Sequence, residues 1–223
     1  MEIKVQPIVN MNVHQQTYHI IAKQIISGSL KPGARMTENE IASALGVSKT
    51  PVREAMKLLS KDGLIEIIPR KGAIVRKLSL RDIKEIYEVR AVLEGLGAKL
   101  ASKHIPKQEL DKIIESVKTC KDELDKGRVK FFVEFDTKLH SLILTYCGNR
   151  YLQKTINSLN NLIYYFRVEI AKKIERSIEA FHEHSWILKA LKNQDGDLAE
   201  KAMKDHILRT TERMLKDMDL PNE

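Results

Sequence analysis

Residues 37–75, TENEIASALGVSKTPVREAMKLLSKDGLIEIIPRKGAIV, decide the fold. Thr37 with Glu40 three positions on is a capping box, so a helix opens there, and Gly46 stops it. After a short turn, Ser48 or Thr50 caps a second helix with Pro51 in its first turn and Gly63 at its end. LIEII and AIVRKL then read as short strands joined by PRKG, a hairpin with a basic tip. Upstream, HQQTYHIIAKQIIS reads as another helix that stops at Gly28, and LKPG as a turn. Helix, helix, tight turn, helix, hairpin is the order of a winged helix-turn-helix.

From residue 79 the pattern changes. Strand signals vanish, and helical periods recur with short breaks at IPKQ, KGR, CGN, KKIER and NQDGD. Ser79 and Asp82 begin the first of these helices with another capping box. About six helices with short connections imply an antiparallel bundle. The expected class is mainly α. A winged helix-turn-helix domain over 1–78 is expected to precede an all-helical domain over 79–223.

Composition narrows the setting. Charged residues make up 30% and hydrophobic residues 43% of 223, as in a soluble globular protein. The apolar runs, such as LIYYF, are far short of the roughly 20 residues that span a bilayer, and MEIKVQPIVNMNV lacks the apolar stretch of a signal peptide. Two cysteines, Cys120 and Cys147, form no disulfide framework and fit a reducing cytoplasm. The net charge of +8 is uneven: residues 1–80 hold 12 Lys+Arg against 6 Asp+Glu, and the remainder 26 against 24. A basic first third suggests a polyanionic partner.

A helix that enters the major groove needs small, polar first turns. Ser48, Lys49 and Thr50 supply them at a helix N-terminus, itself a phosphate site. Arg53 lies on the same side and suits a bidentate contact to guanine. The run from LKPGARM to PRKGAIV closely resembles the DNA-binding domain of the GntR family of bacterial transcriptional regulators, through PG, ALGVSKTPVREA, DGLI and PRKG. The remainder resembles the effector domain of its FadR subfamily, the FCD type, through YEVRAVLEGLGAKLA, FDTKLH, EHSWILKAL and AMKDHI. The resemblance implies DNA contacts at Lys49, Thr50, Arg53 and Gly72, with Arg70 and Lys71 beside them. It departs at Asn39, where many relatives carry Arg, so that contact would be altered or lost.

Asp136 and His140 sit four apart beside the apolar stripe Phe135, Leu139, Ile143. His184 shares a face with Phe181, Leu188 and Leu191, whereas His182 points away. His206 shares one with Ala199, Met203 and Thr210. Polar groups on core-directed faces of three helices each need a buried partner unless they converge. The FCD resemblance implies convergence, since many such domains bind a divalent metal through one Asp and three His. Asp136, His140, His184 and His206 match that set, which suits Zn²⁺, Ni²⁺ or another first-row ion. Arg90, beside Glu94, is a buried arginine that wants an anion, and Arg167 invites the same reading; these three are candidate effector contacts.

The leading expectation is a cytoplasmic, homodimeric regulator that binds an inverted-repeat operator and senses a small organic acid. A direct metal sensor is the alternative. A metalloenzyme with a DNA-binding appendage is a third reading, against which stands the absence of any nucleophile–base motif.

Overall fold

A computed structural model describes residues 12–218. The expectation for the N-terminal signal region falls mostly outside the described residues. The chain divides into two compact units, one through Lys77 and one from Leu78.

The first unit contains α1 (Val13–Ile26), β1 (Arg35–Met36), α2 (Glu38–Leu45), α3 (Lys49–Lys61), β2 (Ile65–Ile68) and β3 (Gly72–Val75). Thr37 forms the expected capping box: its hydroxyl accepts from Glu40 N, and Glu40 accepts from Thr37 N. Gly46 ends α2 in the left-handed conformation that glycine adopts without a Cβ clash. α3 buries Val52, Ala55, Met56 and Leu59, the i, i+3, i+4, i+7 stripe of an amphipathic helix. That stripe packs against α1, which buries Ile21, Ala22 and Ile25. β2 and β3 form the wing, in antiparallel register from Ile65 opposite Val75 to Ile68 opposite Gly72. Arg35–Met36 adds a third strand that the sequence reading missed, so the order is β1-β3-β2.

In the second unit the described residues form six helices: α4 (Leu80–Ala101), α5 (Lys107–Leu124), α6 (Val129–Tyr146), α7 (Arg150–Ala171), α8 (Ile174–Lys192) and α9 (Gly196–Met218). Ser79 and Asp82 cap α4 reciprocally, and Asn149 Oδ1 accepts from Tyr151 N and Leu152 N at the start of α7. α4 packs most extensively on α9. Small residues permit the approach: a Cβ on Gly95 would lie 2.6 Å from Lys204 Cγ. Apolar side chains such as Tyr87, Leu139, Ile187 and Met203 are fully buried. The aromatics of LIYYF, Tyr164, Tyr165 and Phe166, read most simply as core, but Tyr164 is exposed, because the turn of α7 that buries Ile163 and Phe166 points it outward. No helix among the described residues is long and apolar enough to cross a membrane.

Candidate metal centre and nucleic-acid interface

α6, α8 and α9 bring Asp136, His140, His184 and His206 together. One ligand-type atom from each lies within 4.8 Å of the others, and all four residues are buried. Two donors about 2.1 Å from one ion can be at most about 4.2 Å apart, so coordination would draw the set in by a few tenths of an ångström.

The surroundings distinguish the three imidazoles. His140 Nδ1 contacts Glu94, which in turn accepts from Arg90 Nε at 2.5 Å. His206 Nδ1 lies 2.8 Å from Glu183 Oε2, and Arg213 donates to both oxygens of Glu183 at 2.7 and 2.9 Å. Each carboxylate orders one imidazole and leaves that ring's Nε2 as the ligand atom, a common arrangement around metals. His184 has no such partner. Its Nε2 lies 3.1 Å from Asp136 Oδ1, which is also 3.5 Å from His140 Nε2. Yet His140 Nε2 and both ring nitrogens of His184 are buried without a partner in hydrogen-bond geometry. Orphaned buried nitrogens are costly, and an ion would satisfy them. The donor set therefore fits a first-row divalent cation.

The charges agree with that fit at three of the four positions. Burial opposes the charge on Asp136, but the Arg167 guanidinium and His140 outweigh it and hold the carboxyl well below its usual range. Burial, reinforced by His184, lowers His206 to about 3, and burial also lowers His184, so both are neutral imidazoles able to coordinate. His140 alone is raised: burial works against its proton, but Glu94 and Asp136 prevail.

The candidate effector residues lie beside this cluster. Arg90 is engaged by Glu94, and Arg167 by Asp136 and by Thr137 Oγ1 at 3.1 Å. Both arginines line a cavity of about 20 Å³ with Tyr87, Asp136, His206 and Thr210. Glu183, Arg213 and Tyr87 were not singled out from sequence. Glu183 stands between two histidines in FHEHSW, where it reads as one more helix acid. Its only available signal was its place between them.

In the first unit Asn39, Ser48, Lys49, Thr50, Arg53, Arg70 and Lys71 are exposed and Gly72 is half-buried. Asn39, Arg53, Arg70, Lys71 and Gly72 line one cleft of about 570 Å³ between the helix-turn-helix and the wing, and Ser48, Lys49 and Thr50 sit at the start of α3. The Ser48 hydroxyl makes no capping bond. Arg53 is not free: its Nε and NH2 donate to Glu38 at 2.8 and 2.7 Å. Arg70 has φ +63, a left-handed conformation uncommon outside glycine and asparagine.

A three-stranded winged helix-turn-helix with a basic recognition helix, followed by a helical bundle around a buried Asp/His cluster, defines a class of DNA-binding regulatory proteins. Residues 13–75 match the family of bacterial regulatory proteins, gntR family, and residues 85–209 match the FCD domain. The chain belongs to the GntR family and is a DNA-binding transcriptional regulator with an FCD effector domain, not an enzyme. It is 30% identical over 194 residues to the uncharacterized HTH-type transcriptional regulator YdhC of Bacillus subtilis, covering 86% of this chain and 85% of that one. It is 31% identical over 184 residues to the gluconate operon transcriptional repressor of the same species, covering 78% and 74%. The solved structure of E. coli McbR/YncC shares the fold with a TM-score of 0.76 at 23% identity, over 93% of this chain and 99% of that one.

Proposed function

We propose that this regulator is a homodimer that binds an inverted-repeat operator through residues 1–78. In this reading residues 79–223 dimerise and hold a divalent metal, Zn²⁺ or Ni²⁺, through Asp136, His140, His184 and His206. A small organic acid entering beside the ion modulates operator binding. The observation that carries the metal reading is the set of orphaned nitrogens on His140 and His184 facing a buried carboxylate. Bound there, the ion would offer open coordination positions to a carboxylate oxygen. The chain's residues do the rest: Glu94 and Glu183 fix two imidazoles, and Arg167 keeps Asp136 ionised. One relative is named for a gluconate operon, which accords with an organic-acid signal.

On DNA, Lys49, Thr50 and Ser48 meet phosphates at the start of α3, and Arg53 reads a base edge once it leaves Glu38. Arg70, Lys71 and Gly72 approach the backbone from the wing, and Asn39 from α2. The left-handed Arg70 supports the wing role, because a strained position retains a large cationic side chain. Two recognition helices in a symmetric dimer meet two half-sites.

The test is elemental analysis of the purified protein paired with operator titrations. His184→Ala and His206→Ala should each strip the metal and lower the melting temperature, whereas the exposed His182→Ala should do neither. Equal metal content in the wild type and the His184/His206 double variant would sink the site. Acid that binds equally without metal, or leaves operator affinity unchanged, would sink the effector reading.

A further inference from the structure

Among the described residues, the cleft between the helix-turn-helix and the wing is lined by four cations, Arg53, Lys57, Arg70 and Lys71, and one carboxylate, Glu38. Phosphates repel a carboxylate on the surface that meets them, so its presence there needs a reason. Helix formation alone does not supply one. Glu38 opens α2, where an acid is favoured, but Glu40 stands in the same turn and already closes the cap on Thr37.

Glu38 is instead committed to α3. Arg53 Nε donates to its Oε1 at 2.8 Å, and Arg53 NH2 donates to its Oε2 at 2.7 Å. Both side chains stay accessible, Arg53 at 56% and Glu38 at 29%. The bond from Arg53, with the charges of Lys49 and Lys57 nearby, holds the Glu38 carboxyl below its usual range, so it is an anion at neutral pH.

When Arg53 turns to a guanine edge, Glu38 loses both donors just as DNA approaches. The major groove offers few replacements. Guanine and thymine present acceptors, which repel a carboxylate, and adenine sets its amino group beside the acceptor N7. Cytosine alone presents an amino donor, N4, with no acceptor on the same base. Arg53 fills the edge of its own base pair. The carboxylate starts one hydrogen bond away from the guanidinium, and successive bases lie about 3.4 Å apart, so the neighbouring base pair is within its reach.

We infer that Glu38 is a specificity-determining residue of the DNA interface, accepting from cytosine N4 in the base pair next to the guanine that Arg53 reads. The inference rests on the reading of Arg53 as a base contact and adds the residue that discourages that contact on other sequences. Where the cytosine is missing, Arg53 gives up a paired carboxylate and leaves an anion facing phosphates. On the operator both members of the ion pair find new partners. Discrimination then comes from a penalty on wrong sites as much as from a gain on the right one.

The experiment selects binding sites for the full chain from random duplex DNA, then titrates the selected duplex and its single-base variants. The wild type should enrich a guanine with a cytosine in the adjacent base pair of each half-site. Replacing that cytosine should weaken wild-type binding by about 5- to 150-fold, the usual cost of one wrong base pair, and should cost Glu38→Ala almost nothing. Glu38→Gln is nearly isosteric and carries the test even if Glu38→Ala unsettles α2. Its amide suits adenine, so the preference should move from cytosine to adenine at that position while the guanine is retained. Selection of the same bases by the wild type and Glu38→Gln would overturn the inference. So would a Glu38→Gln that loses only the guanine, because Glu38 would then merely position Arg53. An Arg53→Ala that still selects the guanine would overturn the reading of Arg53, and this inference with it. A wild type that selects no sequence would overturn both.

Discussion

Glu183→Ala should weaken zinc binding by about 10–100-fold, the usual loss when a carboxylate behind a ligating histidine is removed. That is about 1.4–2.7 kcal/mol. The size follows from what Glu183 holds. Its Oε2 receives His206 Nδ1 at 2.8 Å, which fixes the tautomer and leaves Nε2 for an ion. Its two oxygens also receive Arg213 at 2.7 and 2.9 Å, so removal leaves a partly buried guanidinium with less to bind. The two consequences separate by variant. Glu183→Gln keeps an acceptor for one neighbour but loses the charge, and should cost at most about tenfold in metal affinity. Glu179→Ala removes a carboxylate that lies 3.4 Å from Arg213 and also pairs with Arg176, without a bond to a histidine. It should leave zinc affinity unchanged. Equilibrium competition against a chromophoric chelator measures the affinities, and thermal melting of the metal-free proteins measures the structural loss. If Glu183→Ala lowers the melting temperature but binds zinc as tightly as the wild type, Glu183 is merely Arg213's counterion and the reasoning about His206 is wrong.

Two further outcomes concern the winged unit. Glu38→Ala removes the acceptor of Arg53 and should raise affinity for random-sequence DNA. If the freed guanidinium reaches a phosphate, the salt dependence should steepen by about 0.9 in log–log slope; anisotropy titrations that show neither change would place Arg53 away from the DNA. Gly72→Ala should destabilise the unit by about 2 kcal/mol or more, because φ +91 is strained for any side chain and the added Cβ would lie 2.3 Å from Met36 O. A melt within experimental error of the wild type would show that the wing relaxes.

Local signals carried most of the fold. Thr37 with Glu40, Ser79 with Asp82, Gly46, Gly63 and Asn149 act on backbone groups within a few residues, so their consequences can be read along the chain. β1 could not be read that way. Arg35 and Met36 are too short a run to show alternation, and their pairing with Ile74 and Ala73 lies almost forty positions away. Tyr164 failed for a related reason: LIYYF is uniformly apolar, and only the packing of α7 decides which of its turns faces inward.

The candidate metal centre was half legible for the same physical reason. The Asp136–His140 spacing and the inward faces of His184 and His206 are properties of single helices. Convergence depends on how α6, α8 and α9 pack, and the family resemblance supplied it before the geometry did. The outer groups follow no local rule: Arg167 reaches Asp136 across 31 positions, and Arg213 reaches Glu183 across 30. Their presence is itself informative. Arg90, Glu94, Asp136, Arg167 and Glu183 are charged residues buried with three histidines in one helical bundle. Such a cluster is poor support for stability alone, since well-packed apolar residues of similar volume often serve as well or better. Structural pairing accounts for Arg90 with Glu94 and for Arg213 with Glu183. It does not account for the unpartnered nitrogens of His140 and His184 or the unpartnered hydroxyl of Tyr87. Those groups remain costly until something satisfies them, and a cation fits the histidine nitrogens and the carboxylate they face.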